Sequence, residues 1–152
     1  MIVGIASDTH DNMPKIKKMV EILNERNVDF FLHAGDFIAP FSLSSFDNLK
    51  CEWVGVFGNN DGEREGLLKK SKGRIKTPPY YLELSSRKIS LMHQLKEVDS
   101  SIIVYGHTHN LEVKNTKNRM LLNPGEVCGW LTGQSSLVIL NLDNLESEII
   151  YF

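Results

Sequence analysis

The sequence predicts an α/β fold whose first half builds a parallel sheet, and two observations carry that prediction. The opening third alternates strand, helix and strand: apolar Ile2-Val3-Gly4-Ile5-Ala6, an amphipathic segment to Arg26, then Asp29 to Leu32. Four apolar runs also end in the same kind of polar residue. Ile2 to Ala6 leads into Ser7-Asp8-Thr9-His10, and Phe30-Phe31-Leu32 into His33-Ala34-Gly35-Asp36. Trp53-Val54-Gly55-Val56 leads into Gly58-Asn59-Asn60-Asp61, and Ile102-Ile103-Val104-Tyr105 into Gly106-His107-Thr108-His109. In a parallel sheet the carboxyl ends of the strands share one edge, where ligands bind. Residues far apart in the chain are therefore expected to meet there.

Each element follows from local pattern. Pro14 suits a first helical position, and Ile16, Met19, Val20 and Leu23 recur at helical spacing, which predicts a helix to Arg26 with Lys15, Lys17, Lys18 and Glu25 on its solvated face. Pro40 to Leu49 reads as a short helix with Phe41, Leu43 and Phe46 on its apolar side, and a third strand begins near Glu52. Between Gly62 and Pro79 the chain is polar and basic, which predicts a helical turn at Glu65 to Lys70 and then a surface loop. That segment is either a solvated loop or a basic rim beside a phosphate site.

The pattern then becomes antiparallel. Tyr80 to Leu84 and Lys88 to Met92 flank Ser85-Ser86-Arg87 as a β-hairpin that leads to His93. Only Gln94 to Ser101 separate His93 from the strand at Ile102, whereas a parallel crossover usually takes a dozen or more residues. Either a tight loop makes the connection or a segment is missing. Glu112 to Lys114, Met120 to Leu122, Leu137 to Leu142 and Ser147 to Tyr151 read as short strands.

Length and composition bound the rest. The 152 residues fit one domain, 1–152. A formal charge of −2 gives no general attraction for a polyanion, so extended nucleic-acid binding is not expected and phosphate recognition must be local. Cys51 and Cys128 lack paired spacing, which argues against a disulfide framework or a thiolate zinc site. No basic leader precedes the first strand, and no apolar run approaches the roughly 20 residues of a membrane span. A cytoplasmic protein with no membrane association is expected. Nothing in the sequence bars a homo-oligomer.

The chemistry-bearing candidates are Asp8, His10, Asp36, Asn59, His93, His107 and His109. Oxygen and nitrogen donors in that number, without a thiolate, exceed the needs of one tetrahedral ion and suit two divalent ions such as Mn, Ni, Fe or Zn. Two such ions, about 3.5 to 4 Å apart, hold a bridging hydroxide and clamp a phosphoryl oxygen during in-line displacement. Two dications, less two carboxylates and one hydroxide, leave a positive cluster that attracts a phosphate oxyanion.

Asp8-x-His10, Gly35-Asp36, Gly58-Asn59-x-Asp61, His93 and Gly106-His107-x-His109, in that order, resemble the motifs of the calcineurin-like metallophosphoesterases. Together with Asn123-Pro124-Gly125-Glu126 they look like the small archaeal and bacterial phosphodiesterases of the YfcE type. The resemblance runs from Ile2 to about Gly133. It implies a four-layer αββα fold, two packed mixed β-sheets flanked by helices, with a dinuclear site at the strand ends. It also implies that Asp8, His10 and His109 hold the first ion, Asp36 bridges, and Asn59, His93 and His107 hold the second. The implied activity is hydrolysis of a small phosphodiester substrate.

Family members often carry a histidine after the motif asparagine, where it protonates the leaving oxygen or holds the phosphate. Asn60 stands there instead, and an amide cannot donate a proton of matched pKa. Asp61 is expected to orient the loop and its Asn neighbour, or to act only as a turn-capping carboxylate. His33 is expected to be structural, and Asn123-Pro124-Gly125 to form a turn. Asn60 keeps one rival open, a phosphoesterase-like scaffold, as in the retromer subunit of this superfamily; a phosphomonoesterase is a further alternative, against which the family resemblance and Asn60 favour diesters. A dinucleotide-binding domain is disfavoured because Ser-Asp-Thr-His, and no glycine-rich loop, follows the first strand.

Overall fold

The computed structural model describes residues 1–152. Its first half is β1 (Ile2–Ala6), α1 (Met13–Glu25), β2 (Phe30–His33), a 3-10 segment (Pro40–Asn48), β3 (Glu52–Val56), α2 (Arg64–Lys70) and β4 (Ile75–Lys76). The second half is all strand: β5 (Tyr80–Leu84), β6 (Arg87–Leu91), β7 (Ile102–Val104), β8 (Leu111–Asn115), β9 (Met120–Pro124), β10 (Ser136–Asn141) and β11 (Ser147–Tyr151). These strands form two mixed sheets, one of six strands in the order β11-β10-β1-β2-β3-β4 and one of five in the order β5-β6-β7-β9-β8. β1 to β4 are mutually parallel, as the alternation predicts, while β10 and β11 close that sheet antiparallel.

Side-chain alternation sorts the core into layers. Val3, Ile5, Leu32, Val54 and Val56 point from the six-stranded sheet toward Ile89, Leu91, Ile102, Val104 and Leu122 of the other, a dry seam between the sheets. Ala6, Phe31 and Trp53 face the other way, against Ile16, Met19 and Leu23 of α1, Phe46 of the 3-10 segment and Leu67 of α2. Both α-helices thus cover the six-stranded sheet. No helix in the structure is long and apolar enough to cross a membrane.

Two local expectations are revised, and one left open between alternatives is decided. Pro40–Asn48 makes 3-10 turns in place of a regular helix, because Ser42 Oγ donates to Ala39 O at 2.7 Å and Ser44 Oγ to Phe41 O at 2.8 Å. Hydroxyls that bond back to carbonyls in this way compete with the α-helical ladder. The segment before Pro78 is not wholly loop, since Ile75 is buried and pairs with Gly55 in register. The crossover from β6 to β7 is a tight connection: ten residues, Met92 to Ser101, join two parallel strands without a helix. Val98 from this connection packs with Met92, Ile103 and Tyr105, so an irregular segment covers part of the five-stranded sheet where a longer crossover would place a helix.

Candidate metal centre

Seven sequence-predicted donors leave the strand ends toward one place. Asp8 and His10 follow β1, Asp36 follows β2 and Asn59 follows β3, while His93 follows β6 and His107 and His109 follow β7. Asp8, Asp36, His93 and His109 are buried, His10 is half-buried, and Asn59 and His107 stand at the exposed mouth.

Distances between the donor atoms define two overlapping groups. His10 Nε2 lies 3.7 Å from Asp8 Oδ1 and 3.4 Å from Asp36 Oδ2, and His109 Nε2 lies 3.5 Å from Asp8 Oδ1. On the other side His93 Nε2 lies 3.4 Å from Asp36 Oδ2 and 2.9 Å from Asn59 Oδ1, with the His107 ring edge-on to His93 at a centroid distance of 5.1 Å. Asp36 Oδ2 is thus equidistant from an imidazole of each group. Donors bound tetrahedrally at about 2.0–2.2 Å stand roughly 3.3–3.6 Å from one another, close to the separations here.

The hydrogen bonds around these atoms leave the inward-facing lone pairs free. Asp8 Oδ2 accepts from Ser7 Oγ at 2.5 Å and from His107 N at 3.1 Å, while buried Asp8 Oδ1 has no partner. His10 Nε2 is buried without one as well. His93 Nδ1 donates to Ala34 O at 2.8 Å and His109 Nδ1 to Glu126 Oε2 at 2.7 Å, which leaves each Nε2 facing acceptors, Asp36 Oδ2 and Asn59 Oδ1 at His93 and Asp8 Oδ1 at His109. Acceptors facing acceptors in a buried space require a cation, either a proton or a metal ion. The residues present fit divalent metal.

Charge shifts follow from the same contacts. Burial would lower His93, but its hydrogen bond and charge contact with Asp36 raise it above the usual histidine value. Burial likewise works against protonation of His10, and contact with Asp8 and Asp36 raises it. Asp36 moves the other way: burial would raise it, yet His93 and the backbone and side-chain hydrogen bonds of Asn60 hold it well below the usual carboxylate range.

The backbone is bent to make this possible. Asp8, His10, Asp36, His107 and His109 have φ of 54°, 40°, 61°, 68° and 61°, in the left-handed region that costs about 1–3 kcal/mol for a side-chain-bearing residue. Two glycines permit the close approach of the loops. A Cβ on Gly58 would stand 2.0 Å from Asp36 Oδ1, and one on Gly106 would stand 1.9 Å from Ser7 Oγ.

The remaining predicted residues hold the frame. Asn60 gives its backbone N to Asp36 Oδ1 at 2.9 Å and its side-chain amide to Oδ2 at 2.7 Å. Asp61 is buried and accepts from Gly58 N at 2.7 Å, Ile38 N at 2.7 Å and Asp36 N at 3.2 Å, which ties the loops after β2 and β3 together. His33 stacks on Phe37 with ring centroids 3.9 Å apart and accepts from Gly35 N, and burial first, then the nearby His93, lowers it to about 3. It is a core residue. Asn123 braces the His107 loop by donating to Gly106 O at 2.9 Å and Thr108 Oγ1 at 3.0 Å.

The basic segment divides. Arg64 lies over the Phe57 ring and lines a pocket of about 200 Å³ beside Asn59 and His93, together with Lys96. Lys70 instead pairs with Asp47 at 2.8 Å on the surface.

Two residues were given no role in the site by sequence reasoning. Glu126 is fully buried and accepts from His109, Cys128, Trp130, Leu131 and Thr132. Burial would raise its carboxyl, but the hydrogen bonds from Cys128, His109 and Thr132 hold it at about 2. Cys128 offers Sγ in a cluster with His10 and His109 whose donor atoms all lie within 4.8 Å of one another. Burial and the Glu126 carboxylate push its thiol up to about 12, so in the metal-free chain it is a neutral hydrogen-bond donor. The only signal for either was the stretch after Asn123-Pro124-Gly125.

A model of the calcineurin-like phosphoesterase superfamily domain matches residues 1–145. The chain belongs to that superfamily. Among its calcineurin-like relatives, Phosphodiesterase MJ0936 of Methanocaldococcus jannaschii is 35% identical over 159 residues, which span 96% of each chain. The solved structure of an archaeal phosphodiesterase matches with a TM-score of 0.92 and 33% identity over 100% of both chains. That of Yfce, a phosphoesterase from E. coli, matches at 0.76 with 18% identity over 99% of this chain and 98% of the other, and shares the fold. The two packed mixed sheets with helices are the superfamily architecture found in these neighbours.

Proposed function

We propose that this chain is a metal-dependent phosphodiesterase that hydrolyses small phosphodiesters at a dinuclear centre. The observation that carries the reading is Asp36 Oδ2, poised 3.4 Å from both His10 Nε2 and His93 Nε2, with the inward atoms Asp8 Oδ1 and His10 Nε2 unpartnered beside it. Asp8, His10 and His109 would hold one ion and Asn59, His93 and His107 the other, with Asp36 shared. Divalent ions bound there, Mn, Ni, Fe or Zn, supply Lewis-acid polarisation of the phosphoryl oxygens and an activated water.

The chain's own residues set the terms of that chemistry. Ser7 and Asn60 fix the Asp8 and Asp36 carboxylates, and Ala34 O and Glu126 fix the tautomers of His93 and His109, so Nε2 of both rings faces the centre. Exposed Asn59 and His107 mark the side from which substrate enters. Arg64 and Lys96 add positive charge beside that entrance, which suits a phosphodiester anion. The phosphodiester preference rests on family membership, on the 35% identical relative named a phosphodiesterase, and on Asn60 in place of a proton donor. Catalysis in the cytoplasm, by a chain that acts without a membrane and without extended nucleic-acid binding, is part of the same reading.

The test is metal content of the purified protein together with hydrolysis of bis(p-nitrophenyl) phosphate with and without added Mn or Ni. Activity that appears with metal and is lost in Asp36→Ala is the expected result. A protein that binds metal yet hydrolyses neither this diester nor p-nitrophenyl phosphate would be a scaffold, and preference for the monoester would make it a phosphomonoesterase.

A further inference from the structure

We propose that Trp130 is a preformed stacking platform for an aromatic ester group of the substrate; the proposal rests on the phosphodiesterase reading above. Trp130 is 62% exposed and the adjoining Leu131 75% exposed, the two most exposed large apolar side chains of the chain and neighbours in sequence. They are not scattered surface residues. The Trp130 ring lies 6.1 Å from the His10 ring, and the His10 ring lies 5.1 Å from that of His109, so the indole continues the wall of the first ion's donor group outward to solvent.

The backbone that carries the indole is held by the buried Glu126 carboxylate. Trp130 N donates to Glu126 Oε2 at 3.2 Å, Leu131 N to Glu126 Oε1 at 3.1 Å, and Thr132 N and Oγ1 to the same oxygen at 2.6 and 2.7 Å. The start of this turn is also tied to the β1 loop: Val127 N donates to Ser7 O and Cys128 N to Asp8 O, each at 3.0 Å, and Asn12 Nδ2 to Cys128 O at 2.8 Å. On a fixed backbone an aromatic side chain has only two torsions left to order when a ligand stacks on it, which keeps the entropic cost of binding low. The turn from Gly129 to Gln134 carries no charged side chain. A neutral planar group, an aryl ring or a base, fits that surface; a second anionic group is better served by Arg64 and Lys96 on the opposite side of the centre.

The experiment uses metal-loaded protein and two phosphinates that cannot be hydrolysed because carbon replaces both ester oxygens: bis(4-nitrobenzyl)phosphinate and dimethylphosphinate. Binding is read by quenching of tryptophan fluorescence and by calorimetry. The chain has only Trp53, which is buried, besides Trp130, so contact quenching by the nitroaryl group reports on Trp130. Trp130→Ala is expected to weaken the nitrobenzyl ligand about two- to tenfold and to leave dimethylphosphinate unchanged, with Trp130→Phe close to the parent. Equal affinity of parent and Trp130→Ala for the nitrobenzyl ligand overturns the proposal and leaves the phosphodiesterase reading intact. A dimer in the parent that dissociates in Trp130→Ala also overturns it, because the occupant is then a second copy. If metal-loaded parent binds neither phosphinate, both readings fall.

Discussion

The side-chain amide of Asn60 donates to Asp36 Oδ2 at 2.7 Å, the same oxygen that faces His10 and His93. An amide committed to the shared carboxylate has no proton to give a leaving group. Diesters with aryl leaving groups are therefore expected to turn over faster than matched alkyl diesters by more than their solution reactivity explains, and Asn60→His is expected to narrow the gap, since a positioned acid contributes about 10²- to 10⁴-fold. Steady-state rates on one aryl and one alkyl series decide this. Parallel rates in the two series would count against it.

Metal should stabilise the fold as well as activate it. Asp8 Oδ1 and His10 Nε2 lie buried without partners, and an ion supplies what they lack. At metal concentrations near a hundred times Kd, each site adds about 2.7 kcal/mol, a rise of roughly 5–10 °C in the melting temperature for a chain of this size. Chelator should reverse the shift in a thermal melt, and Asp8→Asn or His10→Ala should abolish the share of the first site, about half of it. An unchanged melting temperature on addition of Mn, Ni or Zn would sink the dinuclear reading.

Glu126 orients His109 from behind, through the 2.7 Å bond to Nδ1. Glu126→Gln is expected to lower metal affinity about 10- to 100-fold while the ions' own ligands remain intact. Calorimetric titration of metal into the chelated variant measures it, and parent-like affinity would assign Glu126 to the turn alone.

Asp61 gathers three backbone N–H groups in a buried space. Asp61→Ala leaves them unsatisfied and should cost roughly 2–4 kcal/mol of unfolding free energy, with Asp61→Asn losing less. Urea unfolding of the chelated proteins keeps this effect apart from metal binding.

Cys128 should be chemically silent. Its side chain is 2% exposed and donates to Glu126, so iodoacetamide at mild alkaline pH is expected to leave it unmodified in the folded protein and to label it after unfolding. Peptide mass analysis distinguishes it from half-buried Cys51.

Much of this arrangement was legible from the sequence because strand periodicity and strand ends are local signals. The run from Ile2 to Ala6 announces both a buried strand and the place where Asp8 emerges, and the same holds for Asp36, Asn59 and His107. What could not be read depends on contacts that sequence spacing does not encode. Glu126 looks like an ordinary carboxylate after a turn, and only tertiary packing reveals that it gathers the turn from Cys128 to Thr132 under His109. The left-handed backbone at Asp8, His10, Asp36, His107 and His109 is uncommon even for Asp and His, which adopt it more readily than most side-chain-bearing residues, so residue type alone does not locate it. The 3-10 turns at Pro40–Asn48 were hidden for a different reason: the apolar spacing is helical, and serine hydroxyls decide the outcome.

The two sheets divide the donors between them, Asp8, His10, Asp36 and Asn59 from one and His93, His107 and His109 from the other. An ion shared across that seam acts as a rivet, and it can be set only when both plates are in place. In the proposed arrangement a nascent chain that has not yet released residue 107 would hold an incomplete socket for either ion. Loading would then follow the placing of donors from both sheets, and an occupied centre would certify that the segments from Asp8 to His109 have assembled.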